Sequence, residues 1–259
     1  MTIYNMKGQR KYKVQSTKYK GQCSMFKCSM FKSSTLLCLL LLTLTISFSG
    51  CSDDDEIPSV PTPSNKGTFV DERDGKTYHW VRYGNLDWMV ENAGYYLDTI
   101  GCTVYQPDSW DQNYGLTFDY LEKYGCLYSV ATAEKLAPEG WRVPTDAEWQ
   151  SLEMQFGMSA SDASSRDWRG NIAQNMMLQQ ENYGGINIQP TGYFTNKTGG
   201  STTGYRLIGV EGFFWTSTQE EGSEQYYYRK FFYSKPEVYR ETTESGNMMM
   251  SVRWVRDAI

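Results

Sequence analysis

The chain carries a single histidine, His79, so any histidine-dependent chemistry must pass through one residue. A Ser/His/Asp set would have to recruit it, and an iron site held by several histidines has no material. His79 lies inside the alternating run TYHWVRY at 77–83, where a structural or exposed strand residue is the plainer reading. Cysteine is the other reactive type, and beyond residue 50 it occurs only at Cys51, Cys102 and Cys126. Cys51 follows the small residues of FSG at 48–50, a context for lipidation. Cys102 and Cys126 either close a disulfide around a loop of about 25 residues, worth roughly 3 kcal/mol of loop entropy, or stand apart as small buried hydrophobes. Asp108, Asp111 and Asn113 offer oxygens to a hard cation such as calcium, against the alternative of a solvated loop. Trp110 and Trp168 are candidate ligand platforms, and Trp168 has packing against its neighbours as the competing role. Paired carboxylates would suit glycoside hydrolysis, but spacing alone selects no pair among the 30 acidic residues.

The elements that must position these residues centre on GWRVPTDAEW at 140–149. Thr145 and Glu148 have capping-box spacing, and Asp146 and Glu148 set negative charge at the positive end of a helix dipole. Trp149, Leu152 and Phe156 then recur at helical spacing, with Gly157 as a stop. Trp141 and Val143 flank Arg142 as a short buried strand would. Upstream, 68–72 and 77–83 form a hairpin with Asp74-Gly75 at its turn, followed by a short strand over 86–90. Residues 118–124 and 129–136 read as short helices, the second capped by Ser129. A loop over 159–170 and a helical segment over 171–182 follow. Strands are expected over 187–194, 212–218 and 226–233, and a second hairpin joins 237–243 to 248–256.

Several of these stretches carry a resemblance. FVDERDGKTY (69–78), DWMVEN (87–92), YGCLY (124–128), GWRVPTDAEW (140–149), FWTST (214–218) and SVRWVR (251–256) resemble, in order, landmarks of the Fibrobacter succinogenes major paralogous domain family. The resemblance implies an α+β, C-type-lectin-like and formylglycine-generating-enzyme-like fold. Short helices would pack on small antiparallel sheets, the N- and C-terminal strands would be adjacent, and 77–83 would neighbour 249–255. It implies no agreed activity. The enzymes of related fold that make formylglycine need cysteines late in the domain, and none follows Cys126; those that build sulfur-containing histidine derivatives need a histidine set.

Residues 1–50 hold eight of the 25 basic residues and none of the 30 acidic ones, which leaves 17 against 30 beyond them, a net charge near −13. Such a balance argues against nucleic acid and against charge-driven binding to anionic membrane. The apolar run LLCLLLLTLTI at 36–46 has signal-peptide length and is too short for a comfortable span. Met30 or Met25 would make a compact start for it. SDDDE at 52–56 resembles the acidic export signal of Bacteroidetes surface lipoproteins, and the Pro-rich 57–66 is an extended linker. The expected organisation is a signal region over 1–50, a lipidated tether over 51–66 and one domain over 67–257.

These readings converge on a lipid-anchored outer-membrane protein, displayed at the cell surface. It would carry a non-catalytic domain that binds glycan or a surface protein, with calcium as the one possible cofactor. A structural or adhesin-like subunit without a small ligand is the alternative, and a formylglycine-generating-type oxidase is the enzymatic one.

Overall fold

The computed structural model describes residues 60–105, 120–180, 184–196, 204–246 and 248–259. In chain order the elements are β1 (Asn65–Val70), β2 (Thr77–Tyr83), β3 (Leu86–Met89), β4 (Cys102–Thr103), α1 (Tyr120–Tyr124), β5 (Leu127–Tyr128), α2 (Val130–Leu136) and α3 (Asp146–Gln155). Then come α4 (Ala160–Ser164), β6 (Asp167–Arg169), α5 (Ala173–Met177), β7 (Tyr193–Thr195), β8 (Gly204–Arg206), β9 (Glu211–Gln219), β10 (Gln225–Phe232), β11 (Val238–Glu244), β12 (Met248–Met249) and β13 (Val255–Asp257). The architecture is α+β, with short helices and small antiparallel sheets ordered β1-β2-β3-β13, β6-β11-β10-β9, β12-β7-β8 and β4-β5.

The first hairpin forms because its turn chemistry and pattern agree. Gly75 takes φ 75°, which a side chain would resist, while Tyr78, Val81 and Tyr83 turn inward. β13 pairs with β3, Val255 opposite Trp88, so the first and last strands belong to one sheet. Arg82 of β2 also donates to the Ile259 carbonyl at 3.2 Å. The Tyr78 and Trp254 rings meet at 6.3 Å, which puts the 77–83 and 249–255 regions side by side.

α3 starts as its sequence dictates. The Thr145 hydroxyl accepts from the Glu148 N–H, and the Glu148 carboxylate accepts from the Thr145 N–H, completing the capping box. Trp149, Leu152 and Phe156 bury one face. The Trp149 ring lies 5.1 Å from Trp88 and 6.2 Å from Phe231, and Phe156 lies 5.3 Å from Tyr83. Each such side chain contributes about 1.5–3 kcal/mol by leaving water. α2 is capped by Ser129 and buries Val130, Ala133 and Leu136.

Three expectations need correction. The 159–170 stretch contains α4 and β6, because Trp168 and Arg169 pair with Tyr239 and Val238. The strand over 187–194 shrinks to Tyr193–Thr195, since Asn187 sits at φ 48° and breaks the extended run. The second hairpin does not form. β11 pairs with β10 and β6, while Met248 and Met249 pair with Thr195 and Phe194. Residues 250–254 then cross the interior. Met250 exchanges hydrogen bonds with Tyr128, Ser251 donates to Phe213, and the carbonyls of Val252 and Trp254 accept from Ala93 and Met89. Backbone satisfaction from several neighbours outweighs the local hairpin.

Candidate functional site

A cleft of about 900 Å3 opens where β2, the chain after β3, α1 and the irregular segment before β7 meet. Its chemistry comes from Lys76, His79, Glu91, Asn92, Gln179, Asn187 and Gln189, with Glu122 and Lys123 on the α1 side. Four carboxamides therefore stand beside charged groups of both signs.

The floor is held by hydrogen bonds. His79 and Glu91 lie on neighbouring stretches because Val90 donates to the His79 carbonyl at 2.8 Å. One Glu91 oxygen accepts the His79 backbone N–H at 2.7 Å, and the other contacts the imidazole Nδ1 at 2.6 Å. With Nδ1–H given to the carboxylate, a neutral ring carries its lone pair on Nε2. Beneath them Arg253 is fully buried. It donates to Asn92 Oδ1 at 2.6 Å, to the Met89 and Ile186 carbonyls at 3.1 and 2.7 Å, and to the Asn187 carbonyl at 2.6 Å. Burial brings this guanidinium down to about 9, with the Glu91 charge acting in the opposite direction. Asn92 also donates to the Tyr124 carbonyl at 2.8 Å, tying the floor to the α1 wall. Asn187 adopts its left-handed conformation where its carbonyl can meet Arg253 and its Oδ1 can accept from Gln180 at 3.0 Å.

A second ionisable cluster is closed to solvent. Asp146 accepts from Arg229 at 2.7 Å and from Arg240 at 2.9 and 2.7 Å. Glu153 accepts from Arg229 at 2.6 Å and from Arg169 at 2.9 Å. Burial pushes the Asp146 carboxyl up, but Arg240 and Arg229 win and hold it at about 2. Burial brings Arg169 down to about 10 despite Glu153 beside it, with the charges of Arg229 and Arg240 adding to the effect. All five side chains are buried, so the cluster joins α3 to β6, β10 and β11 and offers no surface to a ligand.

The sequence-derived candidates fall in different places. Cys51, Trp110, Asp108, Asp111 and Asn113 lie outside the described residues. Trp168 is half-buried on β6, its ring 5.1 Å from Tyr239. Cys102 and Cys126 come together as buried thiols; the hydrogen bond between them lowers Cys102 and, with burial, pushes Cys126 up. Among the described residues no group of three or more His, Cys, Asp or Glu side chains is placed to hold a metal. His79, read as a strand residue, is also part of the cleft wall. The cleft amides escaped sequence reasoning because they come from separate segments with no common spacing. The alternation placing His79 on a strand, next to a short strand that Glu91-Asn92 follow, was the one available signal.

The profile of the Fibrobacter succinogenes major domain matches residues 81–256. The chain belongs to this family. Searches of curated proteins and of solved structures find no match. Within the family's matched span, the landmark residues hold the frame. Asp87 takes Arg82 at 2.6 Å and Arg256 at 3.0 Å, Asn92 takes Arg253, and Arg142 takes Glu148 at 2.6 Å.

Proposed function

We propose that this member of the Fibrobacter succinogenes major domain family is a non-catalytic binding module of C-type-lectin-like fold, which takes a glycan in the cleft. It is carried at the cell surface by a lipid on Cys51, with the acidic tether and Pro-rich linker holding it away from the outer membrane. The observation that carries the binding role is the cleft of about 900 Å3, lined by Asn92, Gln179, Asn187 and Gln189 beside His79 and Lys76. Sugar hydroxyls both donate and accept, and a carboxamide can answer both needs from one side chain. That role falls to Gln179 and Gln189, because both ends of Asn92 are held by Arg253 and Tyr124 and the Asn187 oxygen is held by Gln180. The hydrogen bonds around Arg253 and Glu91 hold these groups before a ligand arrives, which lowers the ordering cost of binding. Both Glu91 oxygens are engaged by His79, which supports a positioning role for this carboxylate.

The test is a glycan array probed with the mature chain, with calcium and with chelator, followed by titration of the hits against Gln189→Ala and His79→Ala. Selective hits weakened about tenfold by either substitution, the scale of a lost hydrogen bond to a bound polar group, are the expected result. Calcium-dependent hits would bring Asp108 and Asp111 into the site. A blank array, or hits that ignore both substitutions, would remove the cleft reading and leave a structural or protein-binding surface subunit.

A further inference from the structure

On the β6-β11-β10-β9 sheet, the face turned away from α3 is covered at its β9 side, where Phe213 packs on Tyr193, and toward β6 it carries a group of side chains that the cleft does not use. The register places Trp168 opposite Tyr239, and Tyr239 opposite Lys230, so three side chains form one row across three strands. The Lys230 ammonium lies 4.7 Å from the Trp168 ring centre and 4.5 Å from that of Tyr239. Lys235, on the turn between β10 and β11, brings a second ammonium to 4.6 Å from the same indole.

What sets this patch apart is that two ammonium groups share one indole. On this acid-rich chain the surface arginines Arg73, Arg82, Arg142, Arg166 and Arg256 each sit on a carboxylate. Lys230 has only Glu211, at 3.9 Å, and Lys235 has no ion pair among the described residues. Asp167 and Glu237 flank the patch in sequence and pair with neither ammonium. Two cations thus converge on one indole with little compensating charge.

We infer that Trp168, Lys230 and Lys235 form a second binding site, which takes a carboxylate-bearing sugar such as a uronic acid unit of a polysaccharide. The carboxylate would accept from both ammonium groups, a stronger charge-assisted contact than an ammonium makes with an exposed ring. As the lysines turn to it, the indole face is released for the C–H face of the pyranose, with the Tyr239 edge beside it. Densely charged polyanions fit less well, because the net charge near −13 beyond residue 50 opposes them outside the patch. One carboxylate per sugar matches two ammonium groups.

The site is tested by calorimetric titration of the mature chain with galacturonate and glucuronate oligomers, neutral galactose and glucose oligomers of equal length, and a glutamate peptide. Binding confined to the uronate oligomers is expected, weakening as salt rises. Lys235→Ala should weaken it about fivefold and Trp168→Ala about tenfold or more, the range for an exposed ion pair and for a stacked ring. Lys135→Ala, which removes an equal charge from the exposed side of α2, should leave it unchanged. Absence of uronate binding, equal binding of the neutral oligomers or the glutamate peptide, or equal losses in Lys135→Ala and Lys235→Ala would overturn the assignment. Lys235 makes no ion pair among the described residues and lies on the turn between β10 and β11, so its variant stays informative if Trp168→Ala unfolds. The cleft is judged by Gln189→Ala, so either reading can fail alone.

Discussion

Replacing Asp146 by asparagine tests the buried charge cluster, because it keeps size and removes one charge. Three arginines, Arg169, Arg229 and Arg240, face two carboxylates, Asp146 and Glu153. Asp146→Asn leaves three cations against one anion, all out of water, and turns an N–H donor toward guanidinium groups that can only donate. Breaking a buried pair by removing one partner costs about 3–5 kcal/mol. A second route gives a similar scale: holding the carboxyl at about 2 rather than its ordinary 3.8 corresponds to about 2 kcal/mol. The substitution should exceed this, since it also strands two arginines. The folded value is depressed, so the stabilisation is present above the ordinary value near 3.8 and is lost as pH falls through about 2. Urea unfolding at pH 7 should therefore show a loss of about 3–5 kcal/mol in Asp146→Asn. The gap from the unsubstituted protein should narrow between pH 4 and pH 2. A loss under about 1 kcal/mol at pH 7, the level of an exposed pair, would refute the reasoning, as would a gap that widens on acidification.

Two further predictions concern the frame. Cys102 and Cys126, already in contact, should form a disulfide when the chain from residue 52 onward is treated with glutathione disulfide. Each protein thiol gives up a proton and an electron, and the oxidant is reduced to two glutathione molecules. Peptide mapping without reductant should recover one linked pair, with stability raised by roughly 3 kcal/mol; two singly alkylated peptides would count against it. Gly192 sits at φ 66°, where a Cβ would run into the Arg206 carbonyl oxygen and Ile208, whereas Gly75 at φ 75° has open space around it. Gly75→Ala should cost about 1–2 kcal/mol for the left-handed backbone alone. Gly192→Ala should cost about 1–3 kcal/mol more from the overlap, and equal urea midpoints for the two would argue otherwise.

What could be read in advance followed from how local each cause is. The capping box at Thr145 and Glu148, the Asp74-Gly75 turn and the Ser129 cap depend on residues three or four apart, and all three formed. The 237–256 hairpin failed because its second half satisfies its backbone through Tyr128, Phe213, Ala93 and Met89, partners far away in sequence. Asp146 shows the same limit. Its place at a helix start accounts for one role, but its burial against Arg229 and Arg240 depends on strands more than 80 residues on. The cleft is wholly of this kind, since Gln189 and His79 meet only after the chain has folded. Asn187 broke the expected strand because a left-handed asparagine brings its carbonyl to Arg253, a reason invisible without Arg253 in place.

The division between frame and site bears on what family membership carries. The quoted landmarks that fall within the matched span mostly point inward. Trp88, Trp149, Trp215 and Trp254 are fully or almost fully buried, Asp87 is shared between Arg82 and Arg256, and Arg253 is committed to carbonyls and Asn92. The groups that would meet a ligand come largely from between the landmarks: Gln179, Asn187 and Gln189 in the cleft, Trp168, Lys230 and Lys235 on the outer sheet. Residues that hold a frame and residues that face solvent answer to different demands. The family match spans residues 81–256, and the landmarks within it include the frame residues Asp87 and Arg253. Glu91 and Asn92 are where the two demands meet, because both polar ends of each are spent on the frame, through His79 for Glu91 and through Arg253 and Tyr124 for Asn92, while both line the cleft. A substitution there would move stability and binding together, whereas Gln189→Ala, which gives up one hydrogen bond to the Asn187 carbonyl at 3.2 Å, should move binding more than stability.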